Sequence, residues 1–228
     1  MAQGLRIQQQ RESHLGLYIG ILIALALIAG VSWYGYRYYT TGEQPPIPVA
    51  LATPNADVDE KEVTTEEKNN HMVEPTEPRY MSIPSLGIDQ ARVLKIGTKQ
   101  NGELDTPVNI HDVGWYEKST TPGSGTSAIL MDGHNGGPTK GGVFERLADI
   151  GEGDIITVER GDGESFAYEV IEKKTLTLEE LNNGGMKRMS ESASETAEGL
   201  NLISCTGTWI PAQGTYDQRV TIRAVAVE

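Results

Sequence analysis

Two side-chain types in this 228-residue chain stand out for nucleophilic and general-base chemistry near neutral pH: one cysteine, Cys205, and four histidines. A cysteine attacks as its thiolate and therefore needs a base or a cation nearby. Cys205 ends the run Leu200-Asn201-Leu202-Ile203-Ser204-Cys205, which reads as a strand emerging into a Thr-Gly loop. With no second cysteine to pair with, it is a free reactive thiol, an intermolecular bridge or incidental. His14 precedes a long apolar stretch and His71 lies in an acidic segment, which leaves His111 and His134 as candidate bases. His134 sits in Met131-Asp132-Gly133-His134-Asn135-Gly136-Gly137, where a strand meets a glycine-rich turn of the kind on which sites are built. His111 occupies a polar turn before Trp115 and reads equally well as a solvated loop residue. Asp132 beside His134 raises the thought of a metal, but no third ligand is close in sequence.

Acyl chemistry also needs a positive group or N–H donors for the oxyanion of a tetrahedral intermediate. Arg219 opens the last apolar-alternating run, and a hairpin-like return would bring it beside Cys205. Arg223 lies on the same face four residues on, so periodicity alone leaves both open. Either could instead be a solvated, edge-protecting charge.

The elements that must position these residues fall into four stretches. Residues 1–14 form a short N-terminal segment containing Arg6 and Arg11. Residues 15–36, LGLYIGILIALALIAGVSWYGY, carry no charge and are long enough to cross a hydrocarbon core of about 30 Å. Trp33, Tyr34 and Tyr36 end the stretch, where a cleaved signal peptide would place small residues, so an uncleaved anchor is expected. The basic residues before it and acidic ones after it predict a single-pass protein with a cytoplasmic N-terminus and an extracellular remainder. Residues 37–78 are rich in Pro, Glu, Thr and Asn and read as an extended, self-repelling stalk. Residues 79–228 change texture to short strands with Gly-rich turns, and Gly161-Asp162-Gly163 is a hairpin signal. An all-β domain with short helices, closed or sandwiched, is expected. The net charge of −13 excludes an ordinary nucleic-acid binder, which would carry a basic face.

In the order His134, Cys205, Arg219, the chain resembles the sortase family of cysteine transpeptidases, in which a strand ending T-L-x-T-C supplies the nucleophile and an arginine opens the next strand. Leu202-Ile203-Ser204-Cys205 matches that ending with serine in place of threonine. Tyr80-Met81-Ser82-Ile83-Pro84-Ser85-Leu86-Gly87-Ile88 looks like the family's opening I-P-x-L-G-I strand. Val113-Gly114-Trp115-Tyr116, Gly133-His134, and Gly142 to Leu147 followed by Gly153-Asp154 match as well, most like class F or a related class. The resemblance spans about residues 79–227. It implies an eight-stranded β-barrel and no cofactor or metal. Cys205 would attack a Thr–Gly-type bond in an LPxTG-like sorting signal of a secreted protein and form a thioacyl enzyme. His134 would serve as acid and then base, and Arg219 would hold the substrate carbonyl or oxyanion. Ser204 and the Thr206 backbone N–H would contact substrate, and a cell-wall or pilin amine would accept the acyl group. Two other readings remain: a non-catalytic anchored barrel used for binding, and an exported L,D-transpeptidase-type enzyme acting on peptidoglycan. The second lacks its Ser-x-Gly-Cys motif here, since Cys205 is followed by Thr-Gly-Thr-Trp.

Overall fold

The structure is a computed structural model that describes residues 14–44 and 54–227. Arg6, Arg11 and most of the 1–14 segment, together with residues 45–53 of the expected stalk, lie outside the described residues. The chain divides into two compact units, one on each side of Ala50.

In the first unit, α1 (Leu15–Thr41) runs five residues beyond the apolar stretch and stops at Gly42, whose left-handed backbone caps it by donating to the Tyr38 carbonyl. Its apolar side chains, from Leu15 through Val31, are exposed, and it is long and apolar enough to cross a membrane. That is compatible with a membrane anchor.

The second unit is a closed eight-stranded barrel. Its strands are β1 (Pro78–Ile83), β2 (Ile88–Ile96), β3 (Val113–Tyr116), β4 (Ala128–Gly133), β5 (Ile155–Arg160), β6 (Ser165–Thr177), β7 (Gly199–Ile210) and β8 (Thr215–Val227). They close in the order β1-β2-β3-β4-β7-β8-β6-β5, which leaves no sheet edge. Strand alternation sends one set of side chains inward to a single core. Ile129 and Met131 of β4, Leu200 and Leu202 of β7, and Val220, Ile222 and Ala224 of β8 belong to it. The parallel β4–β7 pair lies next to the antiparallel β7–β8 pair, so these three strands form one continuous wall.

Part of the outer face of that wall is covered by chain. Between β6 and β7 the chain makes short helical turns at Leu178–Glu180 and Met186–Met189. Leu181 and Met189 from this excursion pack on Leu130 and Ile203 as a second small cluster.

One expectation is corrected. Residues 54–77, read as part of an extended stalk, lie along the barrel. A short helix, α2 (Thr65–Asn69), is closed by a capping box between Thr64 and Glu67. The Tyr80 hydroxyl donates to the Lys68 carbonyl, and Arg79 Nε donates to the His71 carbonyl at 2.8 Å. Glu60 accepts from the Thr139 N–H and hydroxyl, both at 2.6 Å, and from the Lys140 N–H at 3.0 Å. Composition suggested repelling acids in solvent. Instead, Glu60 satisfies backbone donors of a barrel loop, which offsets part of the cost of ordering the segment.

Candidate active site

The β7–β8 register sets Cys205 directly opposite Arg219. Both point away from the core, because their neighbours Ser204 and Val220 point into it. In the β4–β7 pair Asp132 stands level with Ile203, two residues before His134 and Cys205 respectively. Cys205 and Arg219 therefore share one outward row, and His134 follows directly on the end of the neighbouring strand β4.

The row sits where the hairpin is locally distorted. Between Thr206 and Trp209 β7 carries one residue more than β8, a bulge that re-aims the strand just past Cys205. Gly207 makes the bulge possible: its φ is +85°, and a Cβ there would meet Asp217 Oδ1 at 2.2 Å. Asp217 Oδ1 also accepts the Thr208 N–H at 2.6 Å. Where a Thr-Gly loop was expected directly after Cys205, β7 continues to Ile210, β8 begins at Thr215, and a tight turn joins them. Arg219 is braced by that hairpin: Nη1 donates to the Tyr216 and Gln218 carbonyls and Nη2 to Thr215 Oγ1.

His134 leaves β4 into a small hairpin in which the Gly137 N–H donates to the Lys140 carbonyl. Its own carbonyl accepts the Phe144 N–H at 2.9 Å, and the returning chain passes so near that a Cβ at Gly142 would lie 2.3 Å from that oxygen. Asn55 Nδ2 donates to the Gly136 carbonyl at 2.6 Å, so the segment once read as stalk buttresses the loop that carries His134. The imidazole Nε2–H donates to the Pro107 carbonyl at 2.8 Å, since a carbonyl can only accept. That hydrogen bond selects one neutral tautomer and leaves Nδ1 as the basic atom.

Burial dominates the electrostatics of both reacting groups. It pushes the Cys205 thiol up; Arg219 pulls it back, Asp132 raises it further and Lys99 lowers it. Burial pushes His134 down, with the Pro107 carbonyl opposing and Lys99 adding to the fall. A raised thiol and a lowered imidazole each favour the neutral form of the group.

One of the other expected residues turns out differently. Ser204, expected to contact substrate, is fully buried and donates its Oγ–H to the Gly133 carbonyl at 2.8 Å. Strand alternation makes this unavoidable, because the neighbour of an outward cysteine faces inward. The serine therefore ties β7 to β4 beneath Cys205 and His134. Thr206 is half-buried and stands opposite Gln218 at the start of the bulge. Arg223, the competitor of Arg219, is 8% exposed, stands opposite Asn201 and donates to the Glu191 carbonyl at 3.1 Å. His111 faces Glu62 at 3.6 Å, beside Lys140, rather than the cysteine.

The structure adds groups that sequence reasoning passed over. Asp132 shares the outward face of β4 and acts electrostatically on Cys205. Tyr216 stacks edge-on against Trp209 at 5.5 Å, and burial pushes its hydroxyl up, with Asn135 opposing and Cys205 adding to the rise. A cavity of about 470 Å³ next to His134 is bordered by Asn55, Asp57, Lys99, Pro107, Trp209 and Gly214. Period-two alternation placed Asp132 on the face of His134, and that was the one available signal; nothing local marked Tyr216.

The model of the Sortase domain family matches residues 81–227, the barrel from β1 to the end of β8. The chain belongs to the sortase family. Its fold is similar to that of sortase A from Corynebacterium diphtheriae, in a lid mutant, with a TM-score of 0.50, 22% identity, 72% of this chain and 76% of that chain covered. It also resembles a pilus-related sortase C of Group B Streptococcus (TM-score 0.48, 17% identity, 77% and 79% covered). A third likeness is the SrtA sortase from Actinomyces oris (TM-score 0.48, 18% identity, 68% and 83% covered). A comparison with curated protein sequences gives no match. The barrel is thus a sortase domain, and the activity of that family is transpeptidation.

Proposed function

We propose that this sortase is membrane-anchored through α1, with residues 1–14 cytoplasmic and the barrel outside. There it cleaves an LPxTG-like sorting signal in secreted proteins and passes the acyl group to a cell-wall or pilin amine. The observation that carries the assignment of roles is the outward row of Cys205 and Arg219, opposed across β7 and β8, with His134 one strand away.

From the neutral pair, the Cys205 proton moves to His134 Nδ1 as Sγ attacks the scissile carbonyl carbon. The carbonyl π pair becomes the oxyanion, held by the Arg219 guanidinium and the Thr206 N–H. Collapse re-forms the C=O and breaks the C–N bond, and the imidazolium proton goes to the leaving amine. A thioacyl enzyme and neutral His134 remain. The acceptor amine then attacks the thioester carbon and gives its proton to His134, which returns it to the departing Cys205 sulfur. Throughout, the Pro107 carbonyl holds Nε2–H, so the ring stays oriented while Nδ1 exchanges its proton.

The test is peptide cleavage by the soluble barrel across a library of LPxTG-like peptides, with Cys205→Ala and His134→Ala alongside. Cleavage by the wild type and loss in both variants is the expected result. A wild type that cleaves none of them and does not react with a thiol-directed vinyl sulfone would favour the binding-module reading instead.

A further inference from the structure

Asp132 is a carboxyl in an unusual place. It lies on the outward face of β4, two residues before His134, and is only 9% exposed. Its only hydrogen bond among the described residues is one accepted by Oδ1 from the adjacent Gly133 N–H at 2.8 Å. The strand neighbour on β3 is Gly114, which offers no side chain and sits beneath Ile96 and Pro107. On the other flank, β7 contributes Ile203 at the same level and Cys205 beyond it, and β8 contributes Arg219. The connection between β2 and β3 brings Lys99 and Asp105. Among these groups Arg219 and Lys99 are the cations, and the same two act on Cys205.

We propose that Asp132 is a positioning residue for Cys205 and Arg219, a buried carboxyl whose negative charge competes with the Cys205 thiolate for the Arg219 guanidinium. The inference rests on the sortase reading of this site and adds a group to it. When Asp132 is ionised, it draws on Arg219 and repels a thiolate at Cys205. When it holds a proton, Arg219 serves Cys205 and the oxyanion alone. Burial is the largest influence on the carboxyl and raises it to about 7, so both forms are populated near neutral pH. The two groups then titrate as a coupled pair rather than independently.

Cys205 is the only cysteine in the chain, so thiol alkylation reports on it alone and needs no peptide substrate. Rates of iodoacetamide alkylation of the purified protein are measured between about pH 5 and about pH 10. In the wild type Asp132 is ionised before the thiol titrates, so the curve should be displaced to high pH. Asp132→Asn should give a simple single titration with its midpoint lower by at least about half a unit, which is about three-fold faster alkylation on the rising limb. An unchanged curve in a folded Asp132→Asn protein would overturn the proposal. A second measurement removes the shared cation: carbon NMR of the aspartate carboxyls in the wild type and in Arg219→Gln. Asp132 should titrate at higher pH once the guanidinium is gone, and a titration that does not move would contradict the shared use of Arg219. Both readings stand apart from peptide cleavage, so failure of the sortase assignment and failure of this inference are distinguishable.

Discussion

Arg219 and Arg223 lie four residues apart on the same outward face of β8, and the structure uses them in opposite ways. Arg223 stands opposite Asn201, under the excursion between β6 and β7. Its Nη2 donates to the Glu191 carbonyl, while Asn201 Nδ2 donates to the Met189 and Glu191 carbonyls. Burial and the nearby Arg188 push its guanidinium down. One turn of the pleat further on, no such cover exists: Arg219 is half-buried beside Cys205 and anchored by its own hairpin. Two arginines that are equivalent by period differ because one is roofed by chain and the other borders an open site. Burial level along a shared face, rather than residue type, separates support from chemistry.

The largest expected effect breaks that comparison outright. Arg219→Ala should lower kcat/KM by about 10²- to 10³-fold, as loss of one oxyanion donor does, with little change in melting temperature. If Arg223→Ala gave that loss and Arg219→Ala did not, the assignment of the two would be reversed.

Next comes a stability effect at the same site. Asp132 holds its proton up to about 7 in the fold, against 3.8 ordinarily. The folded state therefore binds more protons than the unfolded one in that window. The stability this contributes is complete below 3.8 and is lost as pH rises through about 7. Asp132→Asn should remove this slope, a difference on the order of 3–4 kcal/mol between acid and alkaline ends. Denaturant unfolding across pH measures it, and parallel curves for the two proteins would refute it.

Arg223→Ala should destabilise the barrel by about 1–2 kcal/mol, because the excursion loses a charged donor to Glu191. Activity at a temperature where the variant is folded should stay close to wild type. Smallest of all, Ser204→Ala should cost about 1 kcal/mol for the lost bond to the Gly133 carbonyl. A KM unchanged by that substitution would agree with a serine facing the core; a KM raised with stability unchanged would point to substrate contact.

The sequence itself disclosed an all-β domain, closed or sandwiched, because positions such as Val220, Ile222 and Ala224 alternate with polar neighbours; the eight-stranded barrel followed from the family resemblance. Elimination left Cys205 with two candidate bases, His111 and His134, and the glycine-rich turn together with the family order favoured His134. The choice of Arg219 over Arg223 rested on the family order, since register and cover are properties of paired strands. The inward turn of Ser204 was readable in principle: the residue before an outward cysteine on a strand must face the core. The docking of residues 54–77 left no trace in composition, because Glu60 is an ordinary exposed acid until Thr139 and Lys140 present their N–H groups to it. Asp132 was legible as a residue on the face of His134, but the Arg219 charge that acts on it comes from a strand that local sequence does not pair with it.

The central claim is that Cys205 carries the acyl group. Wild-type protein incubated with a cleavable LPxTG-like peptide and quenched in acid should show, by intact mass, an added acyl fragment mapping to Cys205 and released by hydroxylamine. Peptide cleavage that persists in Cys205→Ala, with no adduct on the wild type, would contradict it.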